Sequence, residues 1–301
     1  MGYGLKTYLI LFGGVLALST SAIFAKVAEA PSGVLAFWRL FLAALVLAPF
    51  FFGSRTARTE ARKLSGWQWR QILLAGAFLA LHYVLWFESL RFTSVASSTV
   101  IVCLQPLFAL ALEHFLDGRA LRPSALAGCA IALAGCVVIS AGDLAFSGRA
   151  FFGDVLAFVA AGVIAAYFYV GGKIRQTVSA VTYSTLGYFA SAVFLGVYTL
   201  LAGMAFTGYP ARTWWAFIGI ALISTIGGQF VFNLLLKRVP ASAVTMSILG
   251  EPVGTILLAW LFLGEGLTPG QGVGIFVIMA GMVVFFRPPR KSRTIKSDHV
   301  Q

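Results

Sequence analysis

Few side chains in this sequence can do chemistry, and most of those lie inside long apolar runs. Glu251 stands about ten residues, roughly 15 Å of helix, into one such run and directly precedes Pro252. Gln105, directly before Pro106, holds the corresponding place in another run. Proline removes a backbone donor and frees a carbonyl one turn earlier, so both positions lie where a helix is locally loosened. A carboxyl in hydrocarbon can alternate between protonated and ionised forms, which suits Glu251 to a substrate amine or to a proton. The competing reading is that Glu251 is protonated and only satisfies the loosened backbone.

A third run carries His82, Tyr83, Trp86 and Glu88, with His82 and Trp86 one turn apart on one face. The imidazole titrates near neutrality, and with an aromatic neighbour it can bind an organic substrate or relay protons. A hydrogen-bonded packing histidine is the simpler alternative. Arg39 lies too deep in its own run to be left unpaired, and Glu88 at a similar level is its expected partner, as a structural ion pair. A gate or a site for a substrate carboxylate is the other role open to Arg39. Gln229 and Asn233, the only asparagine in the chain, are again one turn apart, and interhelical hydrogen bonding explains them as well as substrate contact does.

These residues need long apolar elements to carry them. Apolar residues make up 59% of the 301 and charged residues 11%, against about a quarter charged in soluble domains. Polar breaks bound ten runs, at 5–27, 32–52, 70–90, 94–116, 123–141, 151–172, 180–204, 213–236, 241–263 and 268–287, each long enough to cross ~30 Å of hydrocarbon. The chain is therefore expected to be an all-α integral membrane protein with no separate soluble domain. The apolar stretch ending at Ala28-Glu29-Ala30 is too long for a cleaved leader and is expected to be retained. Trp67, Trp69, Trp214 and Trp215 at span starts read as interfacial anchors.

The net charge of +12 lies in short loops, which marks topology and not a nucleic-acid surface. One side holds Lys6, Arg55, Arg58, Arg62, Lys63, Arg70, Arg119, Arg122, Lys173, Arg175, Lys237, Arg238, Arg287 and the tail from Arg290 to Lys296. The other holds only Lys26, Arg91, Arg149 and Arg212, so both termini are expected in the cytoplasm of a cell whose inner membrane this chain crosses. The basic tail 289–301 reads first as a plain topology signal, with attraction to anionic lipid as the other role open to it. Cys103, Cys129 and Cys136 lie in apolar runs and read as small packing residues. A Gly-rich phosphate loop, a zinc-binding His-Glu-x-x-His and clusters at metal-ligand spacing are absent from the sequence, so no cofactor, metal or ATP-driven chemistry is expected. An intramembrane enzyme would have to rely on His82 with Ser89 or Glu88, and a transport-inactive scaffold gives no reason to keep Glu251 in hydrocarbon.

Sliding the chain on itself by about 146 positions aligns Leu90-Arg91 with Leu236-Lys237, Thr99 with Thr245, Gln105-Pro106 with Glu251-Pro252, and Pro123 with Pro269. Gly118, Gly128 and Gly135 fall on Gly264, Gly274 and Gly281. Five spans separate the mates, an odd number, so the halves 1–148 and 149–288 are inverted in the membrane, an arrangement common among secondary transporters with midplane sites. The paired glycines predict close helix packing between the fifth and tenth spans, away from any substrate path.

At Gln105-Pro106 and at Leu249-Gly250-Glu251-Pro252 with Leu263-Gly264-Glu265, the chain resembles the duplicated EamA domain of the drug/metabolite transporter superfamily, over nearly its whole length. The first half departs from that pattern, with Asp117-Gly118-Arg119 where the second has Leu263-Gly264-Glu265. The resemblance implies ten helices around a central cavity, alternating access, and export of small organic metabolites such as amino acids. It further implies that the first and sixth spans line the cavity, with Tyr167 as an aromatic wall. Partners are then a small organic substrate and membrane lipid; the sequence leaves the oligomeric state open, and a monomer is compatible with it.

Overall fold

The computed structural model describes residues 4–140, 148–263, 266 and 268–287. Gly264, Glu265 and the basic tail therefore lie outside the described residues. Among the described residues ten helices are long and apolar enough to cross a membrane, and their limits fall within about four residues of the apolar runs. The first three spans are α1 (Leu5–Val27), α2 (Ser32–Gly53) and α4 (Gly66–Ser89); the fourth is broken into α5 (Val95–Val102) and α6 (Gln105–Asp117). Next come α7 (Pro123–Ser140), α8 (Gly148–Ile174) and α9 (Ala180–Leu201). The eighth span joins α10 (Ala211–Gly219), a π-helical stretch (Ile220–Phe230) and α11 (Val231–Leu235). The ninth is again broken, into α12 (Ala241–Ile248) and α13 (Glu251–Leu263), and α14 (Pro269–Phe286) is the tenth.

Two local features escaped the hydropathy reading. The segment Arg55–Lys63, taken for loop, is a short helix, α3, whose first turn is capped by Ser54 accepting from the Ala57 amide at 3.2 Å. Its other feature is polarity all round, with Ala57 as its buried residue. The third span starts at Gly66, ahead of the expected 70, because Ser65 and Gln68 form a reciprocal capping box. Thr268 and Gln271 do the same for α14, with Pro269 in its first turn.

The repeat is also present in the backbone. The shift that aligns the sequence carries α5, α6 and α7 onto α12, α13 and α14 end for end. Packing obeys the same symmetry. The fifth span packs against the tenth, the second against the seventh and the fourth against the ninth, each against its own mate. The third packs against the sixth and the first against the eighth, and the repeat exchanges these two pairs.

The α7–α14 seam shows why glycine is needed. A Cβ at Gly128 would come within 2.7 Å of the Gly281 carbonyl oxygen and 2.5 Å of the Phe285 amide. One at Gly135 would meet the Ile278 amide at 2.7 Å and the Gly274 carbonyl at 2.9 Å. Backbones this close gain dispersion and weak polar contacts that lipid cannot supply. Outward, the bundle shows Phe12, Phe50, Phe152, Phe189, Leu201 and Phe276 among many exposed apolar side chains, a surface suited to lipid and unsuited to water.

Candidate substrate and coupling site

The two interrupted spans place the central polar residues. In the fourth, Cys103 and Leu104 form a turn and Gln105 opens a new helix with Pro106 in its first turn, where a missing N–H costs nothing. In the ninth, Leu249 and Gly250 form the equivalent turn, and Glu251 is the first residue of α13. A carboxylate there lies at the positive end of the helix dipole. The prolines thus start half-helices; they do not kink continuous ones.

The first span closes over Glu251. Ser21 Oγ donates to Glu251 Oε1 at 3.3 Å, and Ser19 Oγ donates to the Glu251 carbonyl at 3.1 Å. Thr255 Oγ1 donates to the Ser19 carbonyl at 3.2 Å. Gly254 admits Ser19, since a Cβ there would overlap its side chain. Glu251 is partly exposed and Gln105 is buried. Glu251 is within electrostatic reach of Arg39, Tyr83 and Cys103.

Arg39 is buried, and its partners are not those expected. Its Nε donates to Thr225 Oγ1 at 2.9 Å and its Nη2 to Ser224 Oγ at 3.2 Å, both on the π-helical stretch, and its guanidinium lies 5.1 Å from the Tyr83 ring centroid. Thr225 Oγ1 donates onward to the Ile220 carbonyl five residues back, and Ser224 Oγ to the Leu18 carbonyl. Glu88 instead accepts from Arg91 Nη1 at 2.8 Å and from the Tyr198 hydroxyl at 2.8 Å. The expected Arg39–Glu88 pair is therefore corrected. Two hydroxyls and an aromatic face solvate the cation, while Glu88 turns to a nearer cation one turn along its own chain.

His82 is buried, and its Nδ1 lies 3.0 Å from the Ala160 carbonyl of α8. Its ring is parallel to that of Trp86 to within 3°, at 6.3 Å, and Tyr83 lies 5.4 Å away. His82 thereby joins the third span to the sixth, and the His82–Tyr83–Trp86 group shares one neighbourhood with Arg39.

Asn233 is a fully buried hub. Its Nδ2 lies 2.8 Å from the Tyr167 hydroxyl, 3.0 Å from Ser184 Oγ and 3.2 Å from the Tyr188 hydroxyl, and its Oδ1 accepts from Tyr167 at 3.0 Å. This arrangement favours the interhelical role for Asn233. Tyr167, expected on a cavity wall, is enclosed at 2% exposure between Phe168 and Tyr183. Gln229 is 4% exposed, and its amide lies towards the Tyr167 hydroxyl without completing a well-aligned hydrogen bond. Tyr188 connects this group to the first, because Arg39 and Tyr83 both act on it electrostatically.

Several polar residues were missed from the sequence. Glu113 is buried and accepts from both the amide and the hydroxyl of Ser242 at 2.9 Å, capping α12 from the other half. Glu60 does the same for α9, through the Ser179 amide at 3.1 Å and Thr182 Oγ1 at 2.8 Å. Asp117 accepts from Lys173 and from the Tyr169 hydroxyl, again between halves. Ser224 and Thr225 had a signal, two adjacent hydroxyls two residues before Gly227-Gly228 in an apolar run. Among the described residues, no group of three His, Cys, Asp or Glu is placed to hold a metal ion. Cys103, Cys129 and Cys136 are free and buried.

The model of the EamA-like transporter family matches the chain twice, at residues 5–141 and 151–287. An uncharacterized transporter of Bacillus subtilis (strain 168), YwfM, is 29% identical over 245 residues, which cover 79% of this chain and 80% of that one. An uncharacterized transporter of Archaeoglobus fulgidus is 27% identical over 283 residues, covering 92% of this chain and 96% of its own. A protein of known crystal structure superposes with a TM-score of 0.77 over 92% of this chain and 94% of its own; at 19% identity this likeness concerns the fold alone. With ten apolar helices among the described residues and a family match over each half, this chain belongs to the EamA-like transporter family and is a multi-pass membrane transporter.

Proposed function

We propose that this transporter is a secondary carrier that exports small organic metabolites, amino acids foremost, across the cytoplasmic membrane by alternating access. The observation that carries the reading is the placement of a guanidinium and a carboxyl against the first span, Arg39 through Ser224 at Leu18 and Glu251 at Ser19 and Ser21. Arg39 and Glu251 are within electrostatic reach of each other, yet each is held by hydroxyls and no direct ion pair joins them. A buried charge left without a direct counter-ion is costly, so the arrangement favours a ligand that supplies the missing charges. A zwitterion does so with its carboxylate towards Arg39 and its ammonium towards Glu251. Tyr83 and Trp86, on either side of His82, offer aromatic contact. Gln105 sits at the equivalent break with a neutral amide, so the two halves differ in charge where they match in backbone.

The orientation adopted is both termini in the cytoplasm, from the distribution of Lys and Arg among the loops. Purified protein in liposomes loaded with unlabelled amino acid tests the function by counterflow of the labelled compound. Glu251→Gln should reduce uptake to the level of empty liposomes with equal protein incorporated. Undiminished counterflow by that variant would refute the assigned role of Glu251, and no counterflow of any amino acid by the unmodified protein would refute the substrate class.

A further inference from the structure

Between α3, the start of α4 and the turn joining α8 to α9 lies an open pocket of about 470 Å3. Arg55, Thr59 and Lys63 stand on its α3 wall, and Gln68 and Thr177 on the far wall. The far wall is built independently of any ligand, because Gln68 is fixed by its capping box with Ser65 and donates to Thr177 Oγ1 at 3.1 Å. Glu60 is the one acid lining the pocket, and its Oε2 is directed at the N-terminus of α9. Arg55 and Lys63 have no hydrogen-bond or ion-pair partner among the described residues.

Arg55 is also the first residue of α3, whose first turn contains no acidic side chain. A helix N-terminus carries partial positive charge, so a cation there is unfavourable until an anion joins it. Two cations, hydroxyls and a helix N-terminus around one pocket have the donor chemistry of a phosphate site. Its position selects the source. α3 follows the end of the second span after a single residue, and Trp67 and Trp69, 67% and 38% exposed, stand beside it at the start of the third, as side chains of the bilayer interface do.

We infer that this pocket seats the phosphate of an anionic phospholipid from the leaflet that faces the chain termini. Its walls come from both halves of the repeat, α3 and α4 from the first and the α8–α9 turn from the second. A bound headgroup therefore ties the halves together at that surface, beside the Glu60 contacts that already join them.

The test uses the full chain. In nanodiscs of phosphatidylcholine, adding phosphatidylglycerol should raise the unfolding midpoint, and a short-chain phosphatidylglycerol should bind saturably in detergent. Replacing both Arg55 and Lys63 with Gln should weaken that binding roughly thirtyfold and remove most of the rise, at about tenfold or less per cation. Arg58 and Arg62 lie on α3 outside the pocket, and Gln at both removes the same net charge with little expected effect. Equal losses in the two double variants would show diffuse surface attraction and overturn the site. Thr59→Glu, which places a negative charge in the pocket and leaves both cations in place, should reproduce the loss; retained binding would overturn the site even if the first variant does not fold. Inorganic phosphate alone, at millimolar concentration in neutral nanodiscs, should leave the midpoint unchanged, and an equal rise would assign the pocket to a free anion instead of lipid.

Discussion

One methyl group at Gly128 should destabilise the α7–α14 seam. Its Cβ would stand 2.5 Å from the Phe285 amide nitrogen and 2.7 Å from the Gly281 carbonyl oxygen, whereas ordinary contact begins at 3.4 Å. Both obstacles are backbone, so no side chain can turn aside. The helices must part by roughly 0.9 Å, and a gap of that size forfeits about a quarter to a half of the dispersion across the contact. Overpacking of this kind costs about 1–3 kcal/mol, while Gly to Ala inside a helix returns at most about 1 kcal/mol. The net expectation for Gly128→Ala is a loss of up to about 2 kcal/mol. Gly13 in α1, with nothing within 4 Å of its Cβ position, supplies the control: Gly13→Ala should be neutral or stabilising. Detergent-solubilised variants heated in steps and assayed by size exclusion give the melting midpoints. Gly128→Ala melting at or above both the unmodified protein and Gly13→Ala would refute the close-packing account. Ile at Gly128 or Gly281 should prevent recovery of monodisperse protein, and surviving Gly135→Ala protein should keep its substrate preference.

Two further outcomes follow from the buried polar contacts. Asn233→Leu strands the hydroxyls of Tyr167, Ser184 and Tyr188 and should cost about 2 kcal/mol in melting experiments; Tyr167→Phe should cost less than half of that, and equal costs would contradict the hub. Glu60→Gln and Glu113→Gln should each cost about 1 kcal/mol, because each replaces a charged cap on a helix N-terminus by a neutral one, and unchanged midpoints in both would show that these contacts contribute nothing to stability.

The spans were legible because hydrocarbon thickness forces long apolar runs and loops must carry what cannot enter. The repeat was legible because proline and glycine have backbone roles that chance apolar similarity does not imitate, and the broken spans bear this out residue for residue. The partner of Arg39 was not legible. Depth along the axis can be counted from sequence, but the direction of a side chain around its helix depends on which neighbour packs there, and here the π-helical stretch brings Ser224 and Thr225 towards it. Glu60 and Glu113 were missed for a related reason. Both look like ordinary residues near a loop, and their role appears only when the other half brings a helix N-terminus to them. α3 lacked any apolar stripe, so hydropathy was silent, although Ser54 before it is a capping residue.

The span pairing has a further consequence. Gly128 meets Gly281 and Gly135 meets Gly274, so that each contact is returned by the mates of the residues that make it. This is the geometry of an isologous interface, in which two identical chains related by a two-fold axis present the same patch to each other. Two separate chains would have to carry the same residue at both mates, whereas one chain with both copies can change either alone. The seam has kept glycine in both copies, while the centre carries Gln105 in one and Glu251 in the other. The backbone is that of a homodimer laid antiparallel, and the chemistry is that of a heterodimer.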